Sequence, residues 1–325
     1  MKNKTTTPYI VLLLILGFVT AFPLRTDAQT AESHFKQGSD EANAGKFNAA
    51  RQSFEKAIEL DPTLAGQAYF RLGVAHAQKR QFEPATEYLE KAVALKPEVP
   101  MIRMNLANTY MAIGQFEKAT DTYVKMTQLE PNTAWPHYNL ANLYMQRGMY
   151  SQAIASFQRV IDLDPTRFRN AYMQIGYAYQ QVRDFKMATE SYKKALAADP
   201  KSFSAAYNMG ICYFRMVLLD EAIEASKKAI AIRPDSAEAI TNLGLAYQAK
   251  KQFEDAEDAF NKALAIKPNL GEAFFGLSLV HKEFGDYEKA FSFAQKAIGA
   301  GKKVSPTYIE VLKTGISEKA SDNKS

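Results

Sequence analysis

Three stretches hold residues whose types and spacing could do chemistry. Gly299-Ala300-Gly301-Lys302-Lys303 carries the Gly-Lys pair with which a phosphate loop grips a nucleotide. That loop also needs a glycine where Lys296 stands and a hydroxyl where Lys303 stands, so the motif fails twice. Gly276-Leu277-Ser278-Leu279-Val280 opens like the sharp turn that presents a nucleophilic serine, but its closing glycine is missing and no strand-like segment precedes it. The third is YNLANLYMQRG, residues 138–148, which has the composition of a helix yet carries Asn139 and Asn142 among apolar neighbours. Asparagine competes with the helical backbone for hydrogen bonds, so two amides here imply a contact that uses them.

The remaining reactive side chains form no constellation. His34, His76, His137 and His281 lie far apart, and with the single Cys212 they offer no spacing for a structural zinc. One thiol also excludes an internal disulfide framework. No cofactor or metal is expected.

The elements that position these residues follow from a period. Pro62, Pro97, Pro131, Pro165, Pro200, Pro234 and Pro268 are spaced by 35, 34, 34, 35, 34 and 34 residues. At one fixed phase stand Ala50, Ala85, Ala119, Ala153, Ala188, Ala222, Ala256 and Ala290. Twelve residues upstream of each comes another small residue: Gly38, Gly73, Ala107, Ala141, Gly176, Gly210, Gly244 or Ser278. Apolar residues keep helical spacing over two segments per period, split by a short polar turn such as Gly114-Gln115. Each period therefore predicts two antiparallel helices, with small residues where their backbones cross closely and a proline that stops the second. In this frame His34 and His137 share one slot and His76 and His281 another, all at packing positions. Cys212 replaces Ala75, Ala178 and Ala246 and is predicted to be a small core residue.

With Leu243-Gly244, Tyr247, Ala256, Phe260, Ala263 and Pro268 in one unit, the chain resembles the tetratricopeptide repeat. The resemblance covers eight units: 31–64, 66–99, 100–133, 134–167, 169–202, 203–236, 237–270 and 271–304. It departs at Glu41, where tyrosine is usual, at Ser226 and Ala294, where an aromatic is usual, and in the eighth unit's missing proline. It implies an all-α, right-handed superhelical solenoid, with atypical end units because terminal faces meet water. Ala65 and Phe168 are extra residues that should lengthen inter-repeat turns. Ser305-Pro306 reads as the start of a capping helix over 305–314, with Gly315 as its stop and a polar tail over 315–325.

In this family one face of the first helix of each unit lines a concave groove, so the resemblance turns Trp135, Tyr138, Asn139, Asn142 and Met145 inward. Stepping by one repeat from Asn139 gives Asn105, Gln174, Asn208 and Asn242, a line of five amides. Such a line offers donors and acceptors to the backbone of an extended peptide without reading its sequence. The alternative is that asparagine here belongs to the repeat's ordinary pattern and bonds locally. Asn108, Met173 and Tyr177 complete the expected peptide-binding groove, whose uncharged aromatic and methionine surface suits an irregular partner. Trp135, the only tryptophan, is its expected anchor. Lys36 and Arg71 have no basic counterparts in the third to fifth units, so a carboxylate clamp is not supported.

At the N-terminus, Lys2 and Lys4 precede the apolar run Ile10 to Val19 and then polar residues, the order of an export signal. The run is shorter than the roughly 20 residues that span a bilayer. Cleavage is expected after Ala28, with Ala21 second; an uncleaved membrane tether is the alternative. Loss of residues 1–28 would lower the formal charge from +5 to +3, which leaves no electrostatic footprint for nucleic acid. The expected protein is thus non-enzymatic and exported, periplasmic or secreted, and it scaffolds an unidentified protein partner. The other readings are a self-associating structural solenoid and an accessory subunit of an envelope polysaccharide, secretion or pilus machine.

Overall fold

The structure, a computed structural model, describes residues 23–322. The expected export signal falls mainly on residues 1–22, outside the described residues. The chain forms two compact units, up to Pro136 and from His137 onward. The first unit contains α1 (Pro23–Asn43), α2 (Phe47–Leu60), α3 (Ala65–Gln78), α4 (Phe82–Leu95), α5 (Pro100–Ala112) and α6 (Phe116–Leu129). The division falls within α7 (Ala134–Gln146). The second unit continues with α8 (Tyr150–Leu163), α9 (Ala171–Gln181), α10 (Phe185–Ala198), α11 (Phe203–Arg215) and α12 (Leu219–Ile232). It ends with α13 (Ala237–Ala249), α14 (Phe253–Ile266), α15 (Gly271–Glu283), α16 (Tyr287–Gly299) and α17 (Pro306–Asp322). No strand occurs among the described residues. Within each unit, successive helices pack as antiparallel hairpins that stack on one another, an all-α solenoid.

The stacking follows from complementary side-chain sizes. A methyl group placed on Gly176 of α9 would lie 2.6 Å from the ring of Tyr192 on α10, so the bare backbone is what admits that ring. Tyr123, Phe157 and Phe260 fill the equivalent place in other hairpins, each at most 1% exposed. The prolines act through the residue before them: Asp61, Lys96, Asp199 and Lys267 each end a helix with positive ψ, outside the helical region. The extra residues are absorbed differently. Ala65 opens α3 directly after a 3₁₀ turn, Pro62–Leu64, whereas Phe168 is buried in the irregular turn between α8 and α9.

Each hairpin turns through one left-handed residue, and the amide after it reaches back to the helix, as Gln115 N–H does to the Tyr110 carbonyl at 2.8 Å. Glycine fills that place at Gly114, Gly148 and Gly285, but the turn between α11 and α12 puts Val217 there at φ 60°. A β-branched residue in this region costs about 1–2 kcal/mol, and Val217 is 73% exposed, so burial returns little. Val217→Gly is expected to raise the stability of the second unit by about 0.5–1 kcal/mol, glycine's larger unfolded-state entropy taking back part of the gain. An unchanged or lower guanidinium midpoint would contradict this.

The C-terminal helix differs from its expected form. It begins at Pro306, with the amides of Tyr308 and Ile309 donating to the Ser305 carbonyl. It then runs through Gly315 to Asp322, where a stop and a polar tail are predicted from sequence. Gly315 is not a terminator: a methyl group there would sit 2.5 Å from the ring of Tyr287. The glycine lets α17 lie close on α16. Ser278, the small residue at the close crossing of the last hairpin, is covered by α17 as well. It is fully buried, and its Oγ lies 2.7 Å from the Ala290 carbonyl and 3.0 Å from the Tyr308 hydroxyl of α17.

Candidate functional site: the amide stripe of the first helices

In the second unit the amides stand on the first helix of each hairpin, Asn139 and Asn142 on α7, Gln174 on α9, Asn208 on α11 and Asn242 on α13. All five are half-buried. Helix α9 contacts α11, and α11 contacts α13, so Gln174, Asn208 and Asn242 follow one another at the same phase of neighbouring helices. The Asn242 Nδ2 is enclosed and makes no hydrogen bond within the described chain, an unfavourable state for a buried donor.

The other expected groove residues are distributed unevenly. Met145 and Met173 are half-buried, and Met173 packs against a core cluster that includes Ala195, Leu196 and Ala205. Tyr177 is 43% exposed. Tyr138 is committed inside its own unit: its ring lies 5.1 Å from Phe168 and 5.8 Å from Phe157, and its hydroxyl accepts from Asn170 Nδ2 at 2.8 Å. Asn105, Asn108 and Trp135 belong to the first unit. There, Asn105 Nδ2 donates to the Met101 carbonyl one turn back at 2.8 Å, and Asn108 Oδ1 accepts the Tyr123 hydroxyl. Burial pushes that phenol up to about 12. Trp135 is 43% exposed and Met101 58%.

The reactive side chains set aside above serve packing. His76 stacks 3.8 Å from Phe47 and bonds through Nδ1 to Gln81 at 2.7 Å, while His281 stacks 5.2 Å from Phe293 with Nε2 3.3 Å from Glu257. Cys212 is fully buried, and burial pushes its thiol up to about 11, so it stays protonated and unreactive at neutral pH. Among the described residues no three His, Cys, Asp or Glu side chains gather as a metal site.

Sequence reasoning passed over two hollows in the second unit. One, of about 540 Å³, is bounded by Met209, Tyr213, Ala225 and Lys228; the other, of about 520 Å³, by Ile240, Tyr247, Ala259 and Lys262. They recur at one repeat position, and the signal was available: an alanine stands where two other repeats carry an aromatic.

Family models described as tetratricopeptide repeat match residues 35–100, 134–167, 170–202, 202–269 and 241–304, and one described as TPR repeat matches 107–148. The chain is a tetratricopeptide-repeat protein. Among solved structures, that of the MamA protein is 30% identical, covers 52% of this chain and 92% of its own, and superposes with a TM-score of 0.50. YrrB, a TPR protein with an unusual peptide-binding site, is 24% identical over 58% of this chain and 96% of its own, with a TM-score of 0.51. The C-terminal part of a TPR repeat-containing protein from Cytophaga hutchinsonii reaches 0.62 at 18% identity, covering 76% of this chain and 98% of its own. These last two are likenesses of fold alone. No curated protein matches the chain. In the tetratricopeptide frame, the amide stripe lies on the first helix of each repeat and the hollows between its two helices.

Proposed function

We propose that this tetratricopeptide-repeat protein is a non-enzymatic scaffold of the cell envelope that holds an extended segment of a partner protein along the amide stripe of α7, α9, α11 and α13. The observation that carries the reading is the repetition of half-buried amides at one phase of consecutive first helices. An extended backbone supplies a carbonyl and an N–H at every residue, which matches amides that offer both donor and acceptor. The peptide-binding site of the similarly folded YrrB is consistent with this use of the fold. The envelope location rests on the basic, apolar and polar order of residues 1–28. Catalysis has no place in the proposal, and neither nucleic acid nor a cofactor is a partner.

A photoreactive amino acid at Tyr177 tests it in cells of the source. The parent should crosslink to a discrete partner, and Asn139→Ala with Asn208→Ala and Asn242→Ala should reduce the yield. Each amide contributes about 1 kcal/mol, so the triple change should weaken binding about 100-fold at unchanged helicity. Equal crosslinking by parent and variant would reject the stripe as the working surface. Recovery of the chain only in the cytosolic fraction would reject the envelope assignment, and a mass that rises with concentration would favour self-association.

A further inference from the structure

The two hollows have a counterpart that the chain fills for itself. In the second repeat His76 stacks 5.5 Å from Tyr88 at 19°, and Tyr88 lies 6.2 Å from Tyr69 at 21°. The Lys91 ammonium stands 5.8 and 5.6 Å from the two tyrosine rings. The eighth repeat builds the same stack from other residues. His281 is 5.2 Å from Phe293 at 14°, Phe293 is 6.4 Å from Phe274 at 26°, and Lys296 stands 5.9 and 5.2 Å from the two phenylalanines. The recurring arrangement is a ring on the second helix, sandwiched between two side chains of the first and topped by a lysine.

The sixth and seventh repeats keep one wall and the lysine and omit the ring and the other wall, since Ala206 and Ile240 stand where Tyr69 and Phe274 do. Where Tyr88 and Phe293 stand, they have Ala225 and Ala259; where the histidines stand, Tyr213 and Tyr247; where Lys91 and Lys296 stand, Lys228 and Lys262. Those residues line the two hollows. Both tyrosines are half-buried and both lysines exposed, so each site has an aromatic wall, a small floor and, at its mouth, a lysine beside two carboxylates, Glu221 and Glu224 in one and Asp255 and Asp258 in the other.

We propose that the hollows over Tyr213 and Tyr247 are slots for aromatic side chains of a partner polypeptide, one ring per repeat. The occupant follows from the chain's own example: in two repeats a ring fills this position in near-parallel stacking on the residue at the place of Tyr213 and Tyr247, beneath an ammonium. Stacked aromatic pairs contribute beyond simple burial, and a cation over a ring face adds to them. An aliphatic side chain would fill the volume but gain neither. The slots are independent of the amide stripe, since residues 209, 213, 243 and 247 lie on a different side of their helices from Asn208 and Asn242.

The test uses the full chain with ¹³C-methyl-labelled alanine and a probe peptide, acetyl-Phe-Gly-Ser-Gly-Phe-amide, beside its leucine and alanine analogues. The phenylalanine peptide should produce ring-current shifts of the Ala225, Ala259 and Ala265 methyls, and neither analogue should do so. Lys262→Met should weaken the response at Ala259 about two- to fivefold. Tyr247→His with Ala259→Phe recreates the pair found in the eighth repeat and should abolish the Ala265 response while Ala225 still responds. If that variant fails to fold, Ala225→Phe alone should silence the other slot and spare Ala259. Methyls unmoved by the phenylalanine peptide, or moved equally by the leucine peptide, would overturn the proposal. Shifts produced by concentrating the protein without peptide would also overturn it, in favour of a second copy. The variant lacking Asn139, Asn208 and Asn242 should keep the full response, so failure of the slots and failure of the stripe are separately visible.

Discussion

Phe260→Ala is expected to remove about 3–5 kcal/mol from the second unit, the range for deletion of a buried aromatic ring. The ring is fully buried, and two helices have given up their side chains to receive it. A methyl group on Gly244 of α13 would lie 2.7 Å from it, and one on Gly276 of α15 would lie 2.3 Å from it. With bare backbone at Gly244 and Gly276, these two positions offer no side chain to swing into the void, which limits its collapse. The loss extends beyond one hairpin, because Phe260 joins the seventh and eighth repeats through a core that includes Ile240, Ala263, Leu277 and Val280. In a stacked array stability is roughly a sum of repeat and interface contributions. The change should therefore appear as accelerated amide exchange across α13, α14 and α15, together with a lower urea midpoint. Phe253→Ala, which removes a half-buried ring of the same core, serves as the comparison and should cost clearly less. A loss below about 1.5 kcal/mol for Phe260→Ala would show that the three helices re-close, contrary to the close approach described here.

Gly315→Val is expected to lift the C-terminal helix. A side chain at this position must displace Tyr287, whose ring carbons already lie 2.5–2.6 Å from where its Cβ would be. Overpacking of this kind costs typically 1–3 kcal/mol. The effect is local, because α17 is terminal and packs mainly on α16. Its separation would expose Leu312, now fully buried, together with Ala290 and Ala294. It would also leave the Ser278 Oγ without its Tyr308 neighbour. The variant should show fast exchange throughout 306–322, increased binding of a hydrophobic dye, and an otherwise parental spectrum. Gly315→Ala should give a weaker form of the same result. If α17 remains protected in both, Gly315 is incidental and the helix is held by Leu312 and Tyr308 alone.

The proposed amide stripe and the proposed slots would divide the recognition problem by chemistry. Amides that pair with a backbone tolerate many sequences, whereas a ring slot selects a side-chain class. A partner segment that offers an extended backbone and suitably spaced aromatic residues would meet both requirements. Neither surface draws on the buried thiol or on the stacked histidines, which belong to the packing that holds the repeats together.

The amino-acid sequence by itself determined the period, the hairpin in each period, the small residues at the crossings and the beginning of α17. Those features depend on local rules: side-chain spacing along a helix, the missing N–H and fixed φ of proline, and the fit of small against large at a constant separation. Their repetition made each signal legible several times over. Only the tertiary structure decided what depends on a particular partner residue. Gly315 has the identity of a helix stop, and the ring of Tyr287 gives it another purpose. Ser278 is legible as a small residue at a helix crossing, but that α17 would bring the Tyr308 hydroxyl to it is not. Asn105, Asn108 and Tyr138 belong to the expected groove, yet each is engaged by a group of its own unit: the Met101 carbonyl, the Tyr123 hydroxyl and the Asn170 amide. The slots exist because Ala225 and Ala259 are small where Tyr88 and Phe293 are large, which matters only once two helices have brought a tyrosine and a lysine around the same space. A periodic pattern specifies which faces meet, but the space left between them depends on side-chain volumes contributed from different helices.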